Sequence, residues 1–182
     1  MNKKRIKLYT DGACAGNPGI GGWSCINYDE ETNTIYDAFT GGEETYMEGH
    51  LIQKAETTNN RMELKGLLQA LELATNKYKN CDVTIYCDSS YVVNIFNEWI
   101  FNWARNNWIN SSKEQVKNLD LVKKLYEYAT KEFPNYVVYK VAGHNNEIGN
   151  ELADAYAVAE RSGDATKLAK ILKENEITLA IE

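Results

Sequence analysis

A chain of 182 residues, 43% hydrophobic and 25% charged, has the size and composition of one globular domain able to bury a substantial core. Its 20 Lys and Arg against 26 Asp and Glu leave a formal charge of −6, the wrong sign for holding nucleic acid by bulk attraction, so any such binding must be local or metal-assisted. There is no apolar run of membrane-spanning length, and Met1 to Arg5 leads into strand-like alternation instead of a signal-peptide core. A cytoplasmic protein without membrane contact is expected, and a monomer. The cysteines Cys14, Cys25, Cys81 and Cys87 lack the paired spacing of a zinc or redox motif and read as reduced, mostly buried small hydrophobes.

From Arg5 to Asp11 the chain alternates, with Ile6, Leu8 and Thr10 on one face and Lys7, Tyr9 and Asp11 on the other, as a strand requires. Dense turn chemistry over residues 16–22 follows, then strand-like runs near Trp23 to Tyr28 and Thr34 to Thr40, together an antiparallel meander. A polar stretch of weak periodicity fills Gly41 to Thr58. Helical spacing then begins around Asn60 and runs through Met62, Leu67, Leu68, Leu71 and Ala74, before a buried-type strand at Val83 to Cys87. Helical patterns over Ser89 to about Arg105 and Glu114 to about Lys131 flank a loop. Tyr136 to Val141 is the fifth strand, Asn146 to Glu160 the last amphipathic helix, and Asp164 to Lys173 reads as a short further helix. The order fits an α/β fold with a five-stranded mixed sheet flanked by helices, strands four and five running parallel to strand one through helical crossovers.

That topology has a chemical consequence. If strand one points up, Asp11 and Asp88 lie at the upper edge, and the helix starting near Asn60 begins there, putting Glu63 in its first turn. Glu63 lines up with Leu67, Ala70, Leu71 and Ala74 at the end of a face that should otherwise be buried, and a buried carboxylate needs a cation or hydrogen bonds. The fifth strand brings His144 to the same rim. Asp154 falls off the centre of its helix's apolar stripe, so geometry alone would not single it out. Clustered carboxylates stay ionised only if a divalent metal compensates them, and oxygen-only ligation suits Mg²⁺ or Mn²⁺. Two such ions can clamp the attacking and leaving oxygens of a phosphoryl displacement.

These residues carry a resemblance to the type 1 ribonuclease H family up to about Glu160. Thr10-Asp11-Gly12 with Gly16-Asn17-Pro18-Gly19 resembles its first-strand motif, and Thr57-Thr58-Asn59-Asn60-Arg61-Met62-Glu63-Leu64 the motif at its helix start. Asp88-Ser89 with Tyr91-Val92 resembles the third motif. Gly143-His144, then Asn150-Glu151 and Asp154, resemble the fourth. The resemblance implies a ribonuclease H-like fold, with residues 1–160 as the catalytic domain and 161–182 as a partly helical C-terminal extension. It implies an endonuclease that cuts the RNA strand of RNA–DNA hybrids, leaving 3′-hydroxyl and 5′-phosphate ends, with two Mg²⁺ ions (Mn²⁺ able to substitute). Asp11 would bridge both metals, Asp154 would complete the site of the water-activating ion, and Glu63 and Asp88 the other. His144 would assist proton movement or product release.

It further implies that Thr58, Asn60 and Asn17 hold a DNA-strand phosphate, while backbone near Gly12 and Asn59, with Glu63, senses RNA 2′-hydroxyls. Trp99 and Trp103, followed by Trp108, resemble the family's hybrid-binding protrusion. A strongly basic run that many relatives carry there is replaced by Ala104-Arg105-Asn106-Asn107 and scattered lysines, which predicts weaker, more salt-sensitive binding. Since the N-terminus leads almost directly into the first strand, a separate hybrid-binding domain ahead of it is not expected. Taken singly, each motif has an ordinary structural reading: Asp11-Gly12 as a turn, Asn60 to Glu63 as a capping box, Asp88 as a helix cap, Asp154 as a solvated helix position. Their order along the chain favours the enzyme over two alternatives, a non-catalytic hybrid-binding module and a junction-resolvase-like DNA nuclease.

Overall fold

A computed structural model describes residues 2–47, 50–141 and 147–181. Strands β1 (Arg5–Gly16), β2 (Gly19–Asp29) and β3 (Thr34–Gly41) form the antiparallel meander. The polar stretch behind it is more ordered than its composition suggests. There β4 (Glu44–Met47) and β5 (His50–Lys54) pair as a separate two-stranded sheet, and β6 (Glu56–Thr57) adds to β2 opposite Gly19 and Ile20.

Helix α1 (Asn59–Thr75) is capped by Thr58, whose Oγ1 accepts from the Arg61 N–H at 3.2 Å. β7 (Asp82–Cys87) follows and pairs parallel to β1, from Arg5 against Asp82 to Thr10 against Cys87. The expected long helix is present as α2 (Ser90–Asn94) and α3 (Ile100–Arg105), joined by a π-helical turn over Ile95–Trp99. α4 (Leu119–Ala129) starts later than its spacing predicts, because Asn118 takes a left-handed φ of 59° and Val116 donates to the Trp108 carbonyl instead of continuing a helix. β8 (Tyr136–Lys140) lies parallel on β7. α5 (Ile148–Ser162) is closed by Gly163 at a φ of 74°; α6 (Thr166–Glu174) and β9 (Thr178–Leu179) complete the chain.

The main sheet has the order β8-β7-β1-β2-β3-β9, with β6 attached to β2. The fold class is the mixed α/β arrangement that the sequence predicts, but two short strands, β6 and β9, extend the sheet beyond five. Both faces are covered. Leu8, Ile6 and Ile85 meet Leu64, Leu67 and Leu71 of α1 on one side, and Tyr9, Ile26, Tyr28 and Ile35 meet Leu152 and Ala153 of α5 on the other. The tail belongs to this second layer: Leu168, Ile171, Leu172 and Ile177 pack against it, and β9 pairs parallel with β3 at Thr34 and Ile35. Among the described residues no helix is long and apolar enough to cross a membrane.

Candidate active site

The parallel ladder between β1 and β7 ends at Thr10 and Cys87, whose side chains meet as Oγ1 donates to Sγ at 3.1 Å. Asp11 and Asp88 are therefore the first residues past the point where the two strands part. β1 itself does not end at Asp11, as the alternation suggested; its pairing with β2 carries it on to Gly16. Asp11 thus sits on a strand anchored from one side and open on the other, the position at which α/β sheets present ligand-binding groups.

Two helices close on this point. α1 crosses β1 so tightly at Gly12 that a Cβ there would lie 2.5 Å from the Glu63 nitrogen. That approach brings Glu63 into hydrogen-bonding reach of Asp11, whose Oδ1 accepts from the Gly12 N–H at 2.8 Å. On the opposite face α5 is tied to β2 where the Ser24 hydroxyl donates to the Ala153 carbonyl at 2.6 Å, and Ser24 is the ladder partner of Asp11. Asp154, the next residue, is thereby carried into reach of Asp11. Asp88 is exposed at the mouth and acts on Glu63 through its charge; the following helix is capped by Ser89, which accepts from the Val92 N–H at 3.3 Å.

The electrostatics are those of buried, mutually repelling carboxylates. Burial lifts the Asp11 carboxyl to about 7 against hydrogen bonds with Glu63 and the Gly12 N–H, and the Asp154 charge pushes the same way as burial. Burial, then the charges of Asp11 and Asp88, raise Glu63 well above the usual carboxylate range. Glu63 Oε2 is buried and has no hydrogen-bond partner. Among the described residues no three His, Cys, Asp or Glu side chains form a ready-made metal cage. Asp11, Glu63 and Asp154 are drawn together pairwise around Asp11, with Asp88 at the rim.

The chain matches the RNase H family model over residues 3–162. The chain belongs to the RNase H family. It is 42% identical over 156 residues to the ribonuclease H of Francisella tularensis subsp. novicida (strain U112), covering 85% of this chain and 90% of that one. It is 40% identical over 163 residues to that of Rickettsia akari (strain Hartford), with 88% and 93% covered. The fold is similar to that of a foamy viral protease-reverse transcriptase solved in complex with RNA/DNA hybrid, with a TM-score of 0.68 and 20% identity over 89% of this chain and 20% of that one. The enzyme is thus a ribonuclease H, a hydrolase of nucleic acid.

Of the other predicted residues, Asn17, Asn59 and Asn60 are exposed and Thr58, Trp99 and Trp103 half-buried. Asn17, in the β1–β2 turn, accepts from the Asn59 N–H at 3.3 Å, joining that turn to the start of α1 beside Thr58 and Asn60. Trp99 and Trp103 stand 6.0 Å apart between ring centroids and line an open groove of about 680 Å³ with Asn102, Arg105 and Asn106. All three tryptophans are half-buried against the core, Trp99 edge-on to Tyr91 and Trp108 edge-on to Tyr126, and Trp108 does not line the groove. His144 and Gly143 lie outside the described residues. A second hollow, about 780 Å³ between Trp23, Lys65, Leu68 and Tyr128, is lined by none of the four acids.

Three residues that support the site escaped the motif reading. Arg61 joins Glu43 at 2.6 Å and Asp120 at 3.0 Å, tying α1 to the segment before β4 and to the start of α4. It stands inside the second motif, so its position was visible although its partners were not. Ser24 looks like any polar strand residue. Lys167, whose Nζ lies 2.5 Å from Asp154 Oδ2, comes from beyond the matched region, and no local pattern announces it.

Proposed function

We propose that this ribonuclease H is an endonuclease that hydrolyses the RNA strand of RNA–DNA hybrids, leaving 3′-hydroxyl and 5′-phosphate ends, with Asp11, Glu63, Asp88 and Asp154 as ligands of two Mg²⁺ ions. The observation that carries this is the convergence on Asp11 of two further carboxylates, one of which, Glu63, keeps a buried oxygen without a partner. An all-oxygen donor set fits Mg²⁺, with Mn²⁺ as a substitute. When bound, the ions would activate water and stabilise the charge that develops on the phosphate.

The protein's own part is positioning. Asp11, in reach of both Glu63 and Asp154, is the residue suited to be shared between the ions. Asn17, Thr58 and Asn60 form one rim for the phosphate of the DNA strand, and Trp99 and Trp103 supply aromatic surface on the other. Backbone near Gly12 and Asn59, with Glu63, reads the 2′-hydroxyl that distinguishes RNA from DNA. His144 serves proton movement or product release. The enzyme acts as a cytoplasmic monomer, and its sparse basic residues near the tryptophans make hybrid affinity salt-sensitive.

The test is cleavage of end-labelled RNA–DNA hybrid, double-stranded RNA, duplex DNA and a four-way DNA junction, each with Mg²⁺ or with EDTA. Metal-dependent cutting of RNA in the hybrid alone supports the reading. Hybrid that is bound but left intact under both Mg²⁺ and Mn²⁺ would favour a binding module, and cutting of the junction a resolvase.

A further inference from the structure

Past the end of α5 the chain reverses at Gly163, where the backbone N–H donates to the Ala159 carbonyl at 2.8 Å. Asp164 then accepts from both the backbone N–H and the hydroxyl of Thr166, at 2.9 and 2.5 Å, which sets the direction in which α6 leaves. Leu168, Ile171 and Leu172 seat α6 on the layer formed by Leu152 and its neighbours, and β9 pins the end of the tail to β3. The position of Lys167 is therefore fixed from both sides. Its ammonium points back to Asp154, 2.5 Å from Oδ2.

We propose that Lys167 is a positioning residue that acts as a built-in cation for the carboxylate cluster, holding Asp154 in the metal-free enzyme and competing with the divalent ion that Asp154 would bind. The inference rests on the metal-ligand reading above. Asp154 acts on Asp11 through its charge and is itself paired with Lys167, so without a metal ion Lys167 supplies positive charge to a group of mutually repelling acids. A divalent ion arriving at Asp154 meets a carboxylate that is already partly compensated and an ammonium that repels it. The pair can open without disturbing the core, because the side chains of Lys167 and Asp154 are 56% and 39% exposed. An exposed ion pair of this kind has a modest effect, about two- to fivefold in an equilibrium constant.

The test is isothermal titration of Mn²⁺ into the full chain as wild type, Lys167→Ala, Lys167→Arg and Asp11→Asn, with thermal unfolding of each without metal. Lys167→Ala is expected to bind Mn²⁺ about two- to fivefold more tightly than wild type, with unchanged stoichiometry. Lys167→Arg should restore the wild-type affinity, and added NaCl should narrow the difference between wild type and Lys167→Ala. A purely structural role would change unfolding without tightening metal binding. Equal or weaker Mn²⁺ affinity in Lys167→Ala would overturn the inference while leaving the metal reading intact. Absence of Mn²⁺ binding by wild type, or full binding by Asp11→Asn, would overturn the metal reading and this inference with it.

Discussion

Gly12 decides how close Glu63 can come to Asp11. A methyl group there would meet the Glu63 nitrogen at 2.5 Å and the Met62 carbonyl carbon at 2.7 Å, both backbone atoms that cannot swing aside. Gly12→Ala is therefore expected to push α1 off β1, costing about 1–3 kcal/mol of stability. It should also lower turnover on the order of 100-fold, since a displacement near 1 Å is enough to misplace the carboxylate proposed as a metal ligand. Urea unfolding and single-turnover cleavage measure the two effects separately. A second buried acid behaves in the opposite way to the active-site pair. Burial works against the charge of Asp37, but hydrogen bonds from Lys77 at 2.6 Å, Tyr78 and Asn27 outweigh it and hold the carboxyl below its ordinary value of 3.8. A depressed folded pKa adds stability above the unfolded value and loses it as pH falls through the folded one, so this contribution is present at neutral pH and fades below about pH 4. Asp37→Asn should cost about 2 kcal/mol at pH 7, and the cost should shrink as pH falls below about 4, as read from urea midpoints. That Asp11 and Glu63 come together was legible in the sequence, because the topology takes strand one and the helix start to the same edge, although β1 runs on past Asp11 to Gly16. Lys167 was not, because its contact with Asp154 depends on a chain reversal and on the docking angle of α6.

At the scale of elements, periodicity located α1 to within a residue at its start and α5 to within two at each end. Asn60 to Glu63 resembles a capping box, yet the cap is Thr58, which leaves the Glu63 carboxylate uncommitted to the helix start. The spacing of Val116, Leu119, Val122 and Leu125 is helical throughout, but the left-handed Asn118 delays α4 to Leu119. β4, β5 and β6 were illegible because short strands of mixed polarity have no alternation long enough to register. β9 spans Thr178–Leu179 and exists because the tail is carried alongside β3. That tail is an integral layer of the packing: Leu172→Ala should remove about 1–2 kcal/mol, consistent with a half-buried leucine, and should lower the thermal midpoint. An unchanged midpoint would mean that α6 contributes little to closing the second layer.

At the scale of the molecule, parallel and antiparallel pairing on the two sides of β1 brings acids from four distant stretches of chain to one end of a sheet. The order of elements was readable, since an antiparallel meander followed by helix-linked strands leaves few right-handed arrangements. What the order could not supply was the closeness of approach, which depends on Gly12 and on the Ser24 bond to α5. The net charge of −6 makes the metal reading economical, because the ions proposed to bind Asp11, Glu63 and Asp154 are also what would draw a phosphate into an acidic protein. The most direct test compares wild type with Asp11→Asn on labelled RNA–DNA hybrid in Mg²⁺, measuring cleavage and hybrid binding side by side. Cleavage by wild type, its loss by about 1000-fold or more in the variant and retained hybrid binding are expected of a shared metal ligand. Substantial residual turnover in Asp11→Asn would contradict the role assigned to the carboxylate at the centre of the site.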